Sequence, residues 1–216
     1  MYNPLYFDPY DMYMTREVPM SYMRALHASP DAPGVDVYAN GNLIAKNLRY
    51  REFTPYLKVP SGQCIIKIFP TGTSQIPVIN TTVILIPNAI YTAAAIGMLT
   101  NIGLLPIRDP RITINPTKTN IRFIHLSPNA PAVDITLPDG TVLFPNVSYK
   151  GITNYIPVSP GTYTLEARLT GTKTIVLTVP NVILRPDLNL SVYAVGLTGG
   201  KPALEVLIPL DGSTYL

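Results

Sequence analysis

The chain has 216 residues, of which 47% are hydrophobic and only 13% are charged, and its formal net charge is +3. This length and apolar share suffice to bury a core in two small domains. The small, dispersed positive charge argues against a nucleic-acid partner. The longest apolar stretch, residues 89–99, is too short and too polar to cross a membrane.

Residues 1–20 have a composition of their own and are called the N-terminal arm. The arm contains four Tyr, four Met and three Pro residues and is net acidic. It has no strand or helix period, so we expect that it cannot fold alone, although its rings offer contact area to a partner. One alternative is an arm added to a neighbour's sheet, and the other is a disordered or self-docked tail. The predicted subunit contacts are Tyr2, Tyr6, Phe7, Tyr10 and Tyr13.

The rest of the chain contains two copies of one sequence. Residues 24–36 read RALHASPDAPGVD and residues 122–134 read RFIHLSPNAPAVD, with eight of the thirteen positions identical. Matching residues then recur 99 positions apart, and a repeat of this length corresponds to one small domain. The predicted parts after the arm are a first domain at 21–109, a Pro/Thr-rich linker at 110–118 and a second domain at 119–216.

Within each copy, short runs rich in Val, Ile and Thr alternate with polar residues and predict strands. Asn40-Gly41 and Asp139-Gly140 are strong signals for tight hairpin turns. No segment places apolar residues at helical spacing over three turns. The predicted fold class is therefore all-β, with two tandem antiparallel β-sandwich domains of roughly seven strands each. The single cysteine, Cys64, excludes an internal disulfide framework, and its apolar surroundings predict a buried thiol.

The repeated His-x-Ser-Pro loop contains the candidate ligand-binding residues. They are one His and one Asp from each copy: His27, Asp36, His125 and Asp134. A catalytic triad is disfavoured because Ser29 lies only two residues after the His and no oxyanion donors accompany it. The preferred interpretation is loop architecture, in which Ser and Asp side chains accept backbone N–H bonds in turns. Arg24 and Arg122 lie on the same predicted strands as the His residues, and we expect them to pair with the loop carboxylates.

The same residues offer little to a metal ion. Each copy has one His with one nearby Asp, whereas transition-metal sites need three or four converging ligands. Asp31 of the first copy is Asn129 in the second, which weakens a paired calcium site. We expect no metal, no cofactor and no enzymatic activity. Tyr50, Tyr56, Tyr149 and Tyr155 are expected at the edge of the core, with their hydroxyl groups in water.

The repeated motif, the Asn/Asp-Gly hairpin after it and the later turns at Ser61-Gly62 and Pro160-Gly161 resemble the bacterial family catalogued as domain of unknown function (DUF) 4397. Both copies match, so the resemblance extends from about residue 21 onward. It implies immunoglobulin-like β-sandwiches, often in tandem, in bacterial cell-envelope or surface proteins without a settled activity. The predicted fold is then two tandem immunoglobulin-like antiparallel β-sandwich domains with an extended N-terminal arm.

The start of the chain lacks the basic and apolar regions of a secretory signal, which predicts synthesis in the cytoplasm. Assembly on a spore or cell surface would then need another route, such as spore layers built inside the mother cell. The leading interpretation is a non-enzymatic, self-assembling structural subunit of a bacterial surface or spore-associated layer or fibre.

In that interpretation the arm links neighbours into a homo-oligomer or homopolymer. Other surface proteins are further partners, and neither nucleic acid nor membrane is expected as a partner. The alternative is a ligand- or glycan-binding adhesion module that uses the His-x-Ser-Pro loops.

Overall fold

The structure is a computed structural model that describes residues 18–216. Eight strands form its first half: β1 (Met20–His27), β2 (Val35–Ala39), β3 (Asn42–Leu48), β4 (Leu57–Pro60), β5 (Gly62–Pro70), β6 (Ile79–Leu85), β7 (Ile90–Ile96) and β8 (Gly103–Asp109). Eight more follow: β9 (Thr119–His125), β10 (Val133–Thr136), β11 (Val142–Val147), β12 (Ile156–Val158), β13 (Gly161–Leu169), β14 (Ile175–Leu184), β15 (Leu188–Val195) and β16 (Glu205–Leu207). Two short 3-10 helices lie at Leu99–Asn101 and Gly212–Thr214.

These strands form four sheets of four strands each. In the first sandwich the order β3-β2-β5-β6 makes the first outer sheet, and β4-β1-β7-β8 makes the first inner sheet. The second sandwich repeats this arrangement, with β11-β10-β13-β14 as the second outer sheet and β12-β9-β15-β16 as the second inner sheet. The predicted all-β fold of tandem β-sandwiches is confirmed.

The strand pairing differs from the expectation in one respect. Most neighbouring strands are antiparallel, but β1 pairs with β7 in parallel and β9 pairs with β15 in parallel. Each parallel pair joins strands far apart in the sequence, at the centre of an inner sheet. A short hairpin cannot connect parallel neighbours, so turn signals in the sequence could not reveal this pairing.

Each sandwich has its own core between its outer and inner sheets. A third apolar cluster joins the two inner sheets and contains residues of both sandwiches: Leu26, Ala28, Ala94, Ile96, Ile107, Ile124, Leu126, Tyr193 and Val195. Every residue of β7 and of β9 is therefore buried, because both faces of these strands are covered. The sheets are stacked in the order outer, inner, inner, outer.

Cys64 lies on β5 inside the first core, with no exposed surface, and it is a free thiol. Burial also raises the pKa of this thiol. The prediction of a buried core cysteine is confirmed.

The predicted arm overlaps only slightly with the described residues. Residues 1–17, including the predicted contacts Tyr2, Tyr6, Phe7, Tyr10 and Tyr13, lie outside them. Pro19 accepts a backbone hydrogen bond from Ser61, and Met20 is the first residue of β1. The last residues of the predicted arm thus belong to the folded body. Within residues 18–216, no helix is long and apolar enough to span a membrane.

Gly196 lies at the end of β15 in a conformation that requires glycine. Its φ is +87°, and an added Cβ would lie 2.1 Å from the carbonyl oxygen of Ala203. We expect Gly196→Ala to lower the free energy of unfolding by about 2 kcal/mol or more, measured by urea denaturation. The matched control is Gly171→Ala, because Gly171 has φ +73° and no atom within 4 Å of an added Cβ. Equal losses for the two variants would contradict the steric explanation.

Candidate functional site

The two motif histidines end equivalent strands and face inward. His27 is the last residue of β1 and has no exposed surface, and its Nε2 lies 2.9 Å from the carbonyl oxygen of Pro33. His125 ends β9 and is 1% exposed, with Nε2 at 3.2 Å from the carbonyl oxygen of Pro131. Each Nε2 therefore closes its own loop. Within residues 18–216, neither Nδ1 has a hydrogen-bond partner.

The two motif aspartates hold neighbouring turns. Asp36 Oδ1 accepts the backbone N–H of Asn47 at 2.7 Å, and Oδ2 accepts that of Gly72 at 3.3 Å. Asp134 accepts the equivalent bonds from Asn146 at 2.7 Å and Gly171 at 3.0 Å. These backbone donors hold the pKa of both carboxyl groups below the usual range. The aspartates thus fix a β-bulge and the next hairpin in each sandwich.

The remaining polar motif residues also bind backbone groups of their own sandwich. Ser29 donates to the carbonyl oxygen of Gly97 at 2.7 Å, and the equivalent serine of the second copy donates to Gly196 at 2.6 Å. The prediction that these serines accept backbone N–H bonds is therefore wrong. Asp31 Oδ1 accepts the N–H of Leu99 at 2.7 Å, whereas Asn129 Oδ1 accepts that of Thr198 at 2.9 Å. Asp31 and Asn129 both provide an acceptor oxygen at this position, so the two copies can differ here without losing the hydrogen bond.

The predicted site residues are consequently not brought together around one ligand position. His27 bonds to Pro33 while Asp36 bonds to a different loop, and the second copy repeats this separation. Within residues 18–216, no group of three or more His, Cys, Asp or Glu side chains is placed to hold a metal ion. The loop geometry fits a role in positioning the chain.

The buried imidazoles predict a pH dependence of stability. Burial lowers the pKa of His27 and His125 in the folded state. As the pH falls below about 6.5, these histidines are protonated in the unfolded chain before they are protonated in the folded protein. The free energy of unfolding therefore falls as the pH drops from about 6.5 through the lower folded pKa values. The slope is at most about 1.4 kcal/mol per pH unit for each imidazole.

The free energy of unfolding is measured with urea from about pH 7.5 to about pH 5, on both sides of the unfolded His pKa of about 6.5. The unaltered chain is compared with the double variant His27→Gln, His125→Gln. Burial raises the pKa of Asp211 to about 6 in the folded protein. Protonation of Asp211 therefore increases the free energy of unfolding as the pH falls from about 6 to about 4, opposite to the effect of the histidines. The double variant retains Asp211, so the difference between the two slopes isolates the histidines. Identical slopes would contradict the prediction.

Arg24 does not pair with the loop carboxylate, and that prediction is wrong. The side chain is 4% exposed and points from β1 towards the second sandwich. Its Nη2 lies 3.3 Å from Asp211 Oδ1, and its Nη1 donates to the carbonyl oxygen of Leu210 at 2.9 Å. Its Nε donates to Thr92 at 2.9 Å within the first inner sheet. The first sandwich thus binds the C-terminal segment of the second through this guanidinium.

Arg122 makes the equivalent contacts in the opposite direction, so its predicted pairing is also wrong. It is 1% exposed, forms an ion pair with Asp109 and donates to the carbonyl oxygen of Arg108 at 2.8 Å. Its Nε donates to Ser191 at 2.6 Å. Each arginine thus binds a hydroxyl group of its own sandwich and a carboxylate of the other sandwich. We call the six residues involved the interdomain network: Arg24, Thr92, Asp109, Arg122, Ser191 and Asp211.

Two tyrosines complete the interdomain network. Tyr56 donates its hydroxyl to Asp109 Oδ2 at 2.5 Å, and Tyr155 donates to Asp211 Oδ2 at 2.5 Å. The expectation that these hydroxyls reach water is wrong, and it is also wrong for Tyr50, whose hydroxyl is buried. The guanidinium of each arginine also lies over a ring, Arg24 at 4.6 Å from the centroid of Tyr56. Burial, and the nearby charge of Asp109, raise the pKa of Asp211.

Sequence reasoning missed the carboxylates of this network. Asp109 and Asp211 stand 102 residues apart, close to the repeat distance, at the end of each copy. Extending the comparison of the two copies beyond Gly97 and Gly196 would have aligned them. Their role still could not be read from the sequence, because each carboxylate binds the arginine of the other sandwich.

Comparisons with solved structures found weak similarities. The Bacillus anthracis TIE protein is 10% identical with a TM-score of 0.26, over 87% of this chain and 34% of that chain. A leucine-rich repeat protein from Bacteroides thetaiotaomicron is 10% identical with a TM-score of 0.19, over 80% and 25% of the two chains. The present chain thus spans about a third or less of either solved structure. No curated protein matches the chain.

The family comparison is more direct. Residues 21–136, more than half of the chain, match the family described as domain of unknown function (DUF4397). The matched range contains the first sandwich together with β9 and β10 of the second. It includes both copies of the His-x-Ser-Pro loop, whose side chains make equivalent bonds. The chain belongs to the DUF4397 family.

Proposed function

We propose that this chain is a non-enzymatic structural subunit of a bacterial surface or spore-associated layer or fibre. The two sandwiches form one rigid body, and the N-terminal arm links this body to neighbouring copies. The observation that carries the proposal is the interdomain network, in which the buried arginine of each sandwich forms its closest ion pair with a carboxylate of the other sandwich.

Rigidity follows from the cost of separating the sandwiches. Domains joined by small polar interfaces usually move relative to one another. Here separation would break the two closest ion pairs, leaving Arg122 only its 4.0 Å contact with Asp211, and would expose the apolar cluster between the inner sheets. Exposing apolar surface to water costs roughly 25 cal/mol per Å², so the apolar cluster opposes separation even though the freed guanidinium groups would be hydrated. A body of this kind suits a building unit that transmits load or keeps a fixed spacing.

The motif loops support a structural role in a second way. Ser29, Asp31 and Asp36 all bind backbone groups of the same sandwich, and the second copy makes equivalent bonds. His27 is fully buried. The residue types that first suggest a catalytic site are therefore used to hold turns, which favours a scaffold over an enzyme.

The proposal is tested by deleting residues 1–17. The deletion leaves Pro19 and Met20, which bind the folded body, so the melting temperature should not change. We expect the full chain to form oligomers or fibres in sedimentation velocity and negative-stain microscopy, and the shortened chain to be monomeric. The same assembly state for both chains would overturn the proposal.

One observation favours the alternative of a ligand- or glycan-binding adhesion module. Among the described residues, Nδ1 of His27 and of His125 is buried and lacks a hydrogen-bond partner, so each could accept a bond only from a ligand that enters the interior. A binding role predicts that His27→Ala with His125→Ala abolishes binding and keeps the melting temperature. The bonds to Pro33 and Pro131 predict a lowered melting temperature instead.

A further inference from the structure

The C-terminal segment covers one surface of the first sandwich. After Asp211, residues Gly212–Thr214 form a 3-10 helix, and the ring of Tyr215 packs on Tyr56 with 6.2 Å between centroids. An added Cβ at Gly212 would lie 3.1 Å from Tyr56 Cζ, which shows how closely the backbone approaches that ring. Arg111 donates to the carbonyl oxygen of Leu216 at 2.5 Å. A tyrosine on a returning segment thus fills the position beside Tyr56.

The equivalent position in the second sandwich is open among the described residues. The segment after Asp109 corresponds to the segment after Asp211, but it has Pro110 in place of Gly212 and Thr113 in place of Tyr215. It forms no 3-10 helix. A groove of about 560 Å³ remains beside Tyr155, lined also by Arg108, Pro110, Ile112 and Ile152. We call it the Tyr155 groove.

The chemistry of the Tyr155 groove defines what it would bind. Pro110, Ile112 and Ile152 provide apolar walls, and Ile152 is 43% exposed. Arg108 is exposed and forms no ion pair with any residue from 18 to 216. No carboxylate lines the groove. An aromatic ring with an adjacent carboxylate would satisfy both features.

We propose that the Tyr155 groove binds the N-terminal arm of a second copy, with Tyr10 packed on Tyr155 and an adjacent carboxylate at Arg108. Residues 8–11 read DPYD, so Asp11 directly follows Tyr10 and Asp8 lies two residues before it. The contact between Tyr215 and Tyr56 is the internal precedent for such a ring pair. The eight residue steps from Tyr10 to Val18 span at most about 26–29 Å when extended, which sets how far a neighbour's groove can lie from Val18. This inference rests on the proposed function and specifies where the arm binds.

The test uses full-length chains and sedimentation velocity. Arg108→Glu alters the groove, and its matched control is Lys173→Glu, a charge reversal on the exposed β13–β14 turn. The guanidinium of Arg108 makes no hydrogen bond within residues 18–216, and only its backbone carbonyl is used, so the variant should fold normally. We expect self-association to be at least about tenfold weaker for Arg108→Glu and unchanged for Lys173→Glu.

A mixing experiment distinguishes binding between copies from binding within one chain. The second variant alters only the arm, by Asp8→Asn, Tyr10→Ala and Asp11→Asn. Each variant alone should be monomeric, whereas an equimolar mixture should form heterodimers and nothing larger, because it offers one working arm and one working groove. Absence of a heterodimer would overturn the proposal.

The outcomes separate this inference from the proposed function. If deletion of residues 1–17 abolishes assembly while Arg108→Glu behaves like Lys173→Glu, the arm binds elsewhere and only this inference falls. If the full-length chain is monomeric at every concentration, the proposed function falls and this inference falls with it.

Discussion

Replacing Asp109 with Ala is expected to lower the free energy of unfolding by about 3–5 kcal/mol. The variant removes the carboxylate that pairs most closely with the guanidinium of Arg122, which is 1% exposed, and leaves it only Asp211 Oδ2 at 4.0 Å. It also removes the acceptor of the Tyr56 hydroxyl. A buried group that loses its partner keeps the full cost of its desolvation, so the effect exceeds that of a lost surface contact. Urea unfolding at pH 7 measures it.

Two comparisons make this expectation specific. Arg51→Ala breaks an exposed ion pair with Glu205, at 3.2 Å, that also joins the two sandwiches, and it should cost less than about 1 kcal/mol. Arg122→Met combined with Asp109→Leu removes both buried charges and should recover part of the loss of Asp109→Ala. A loss below about 1 kcal/mol for Asp109→Ala would show that the network does not hold the sandwiches together.

Removing residues 211–216 is expected to have a larger effect, a loss of about 5 kcal/mol or more. The deletion leaves Arg24 without Asp211 and removes the hydrogen bond from the backbone N–H of Asn189 to Thr214 Oγ1. A loss of this size equals the whole stability of many small domains. We therefore expect faster hydrogen exchange in β1 and β7 and an unfolding transition that is no longer single.

The matched control for that deletion removes only Tyr215 and Leu216. It keeps Asp211 and Gly212–Thr214, so the ion pair of Arg24 remains, and what is lost is the packing on Tyr56 and the hydrogen bond from Arg111 to Leu216. We expect a cost of about 1–2 kcal/mol for this shorter deletion. Unchanged exchange in β1 after the longer deletion would contradict the role given to the C-terminal segment.

Both experiments concern the same property of the molecule, the fusion of two sandwiches into one body. The arginines that begin the two motif copies are 98 residues apart, and each binds a carboxylate from the end of the other copy. The duplication therefore built two sandwiches and also two equivalent contacts between them. Such reciprocity is what a two-fold relation between repeats produces, since one surface meets the same surface of its partner.

Local chemistry made much of the fold predictable from the sequence. The alternation of apolar and polar residues predicted strands, and Asn40-Gly41 predicted a two-residue hairpin that the structure confirms between β2 and β3. Left-handed φ angles at both turn residues, +49° and +82°, match the residue types. The apolar run around Cys64 predicted its burial. These features depend on neighbours within a few residues, and such neighbours can be read directly.

The candidate site was less predictable, because its partners are distant in the chain. Arg24 and Asp211 are 187 residues apart, and no periodicity or turn signal relates them. The arginine side chains point away from their own sandwich core, on a strand face that would meet water in an isolated domain. Only the packing of a second sandwich buries that face and converts a surface charge into an interdomain contact.

By itself the amino-acid sequence determined the duplication, the strands of each sandwich, the hairpin at Asn40-Gly41 and the burial of Cys64. Only the tertiary structure decided the parallel pairing at the centre of each inner sheet, the reciprocal arginine contacts and the open groove beside Tyr155. The physical reason is the range of the forces involved. Backbone preferences act between near neighbours, whereas the cost of burying a charge depends on every surface that folding brings against it.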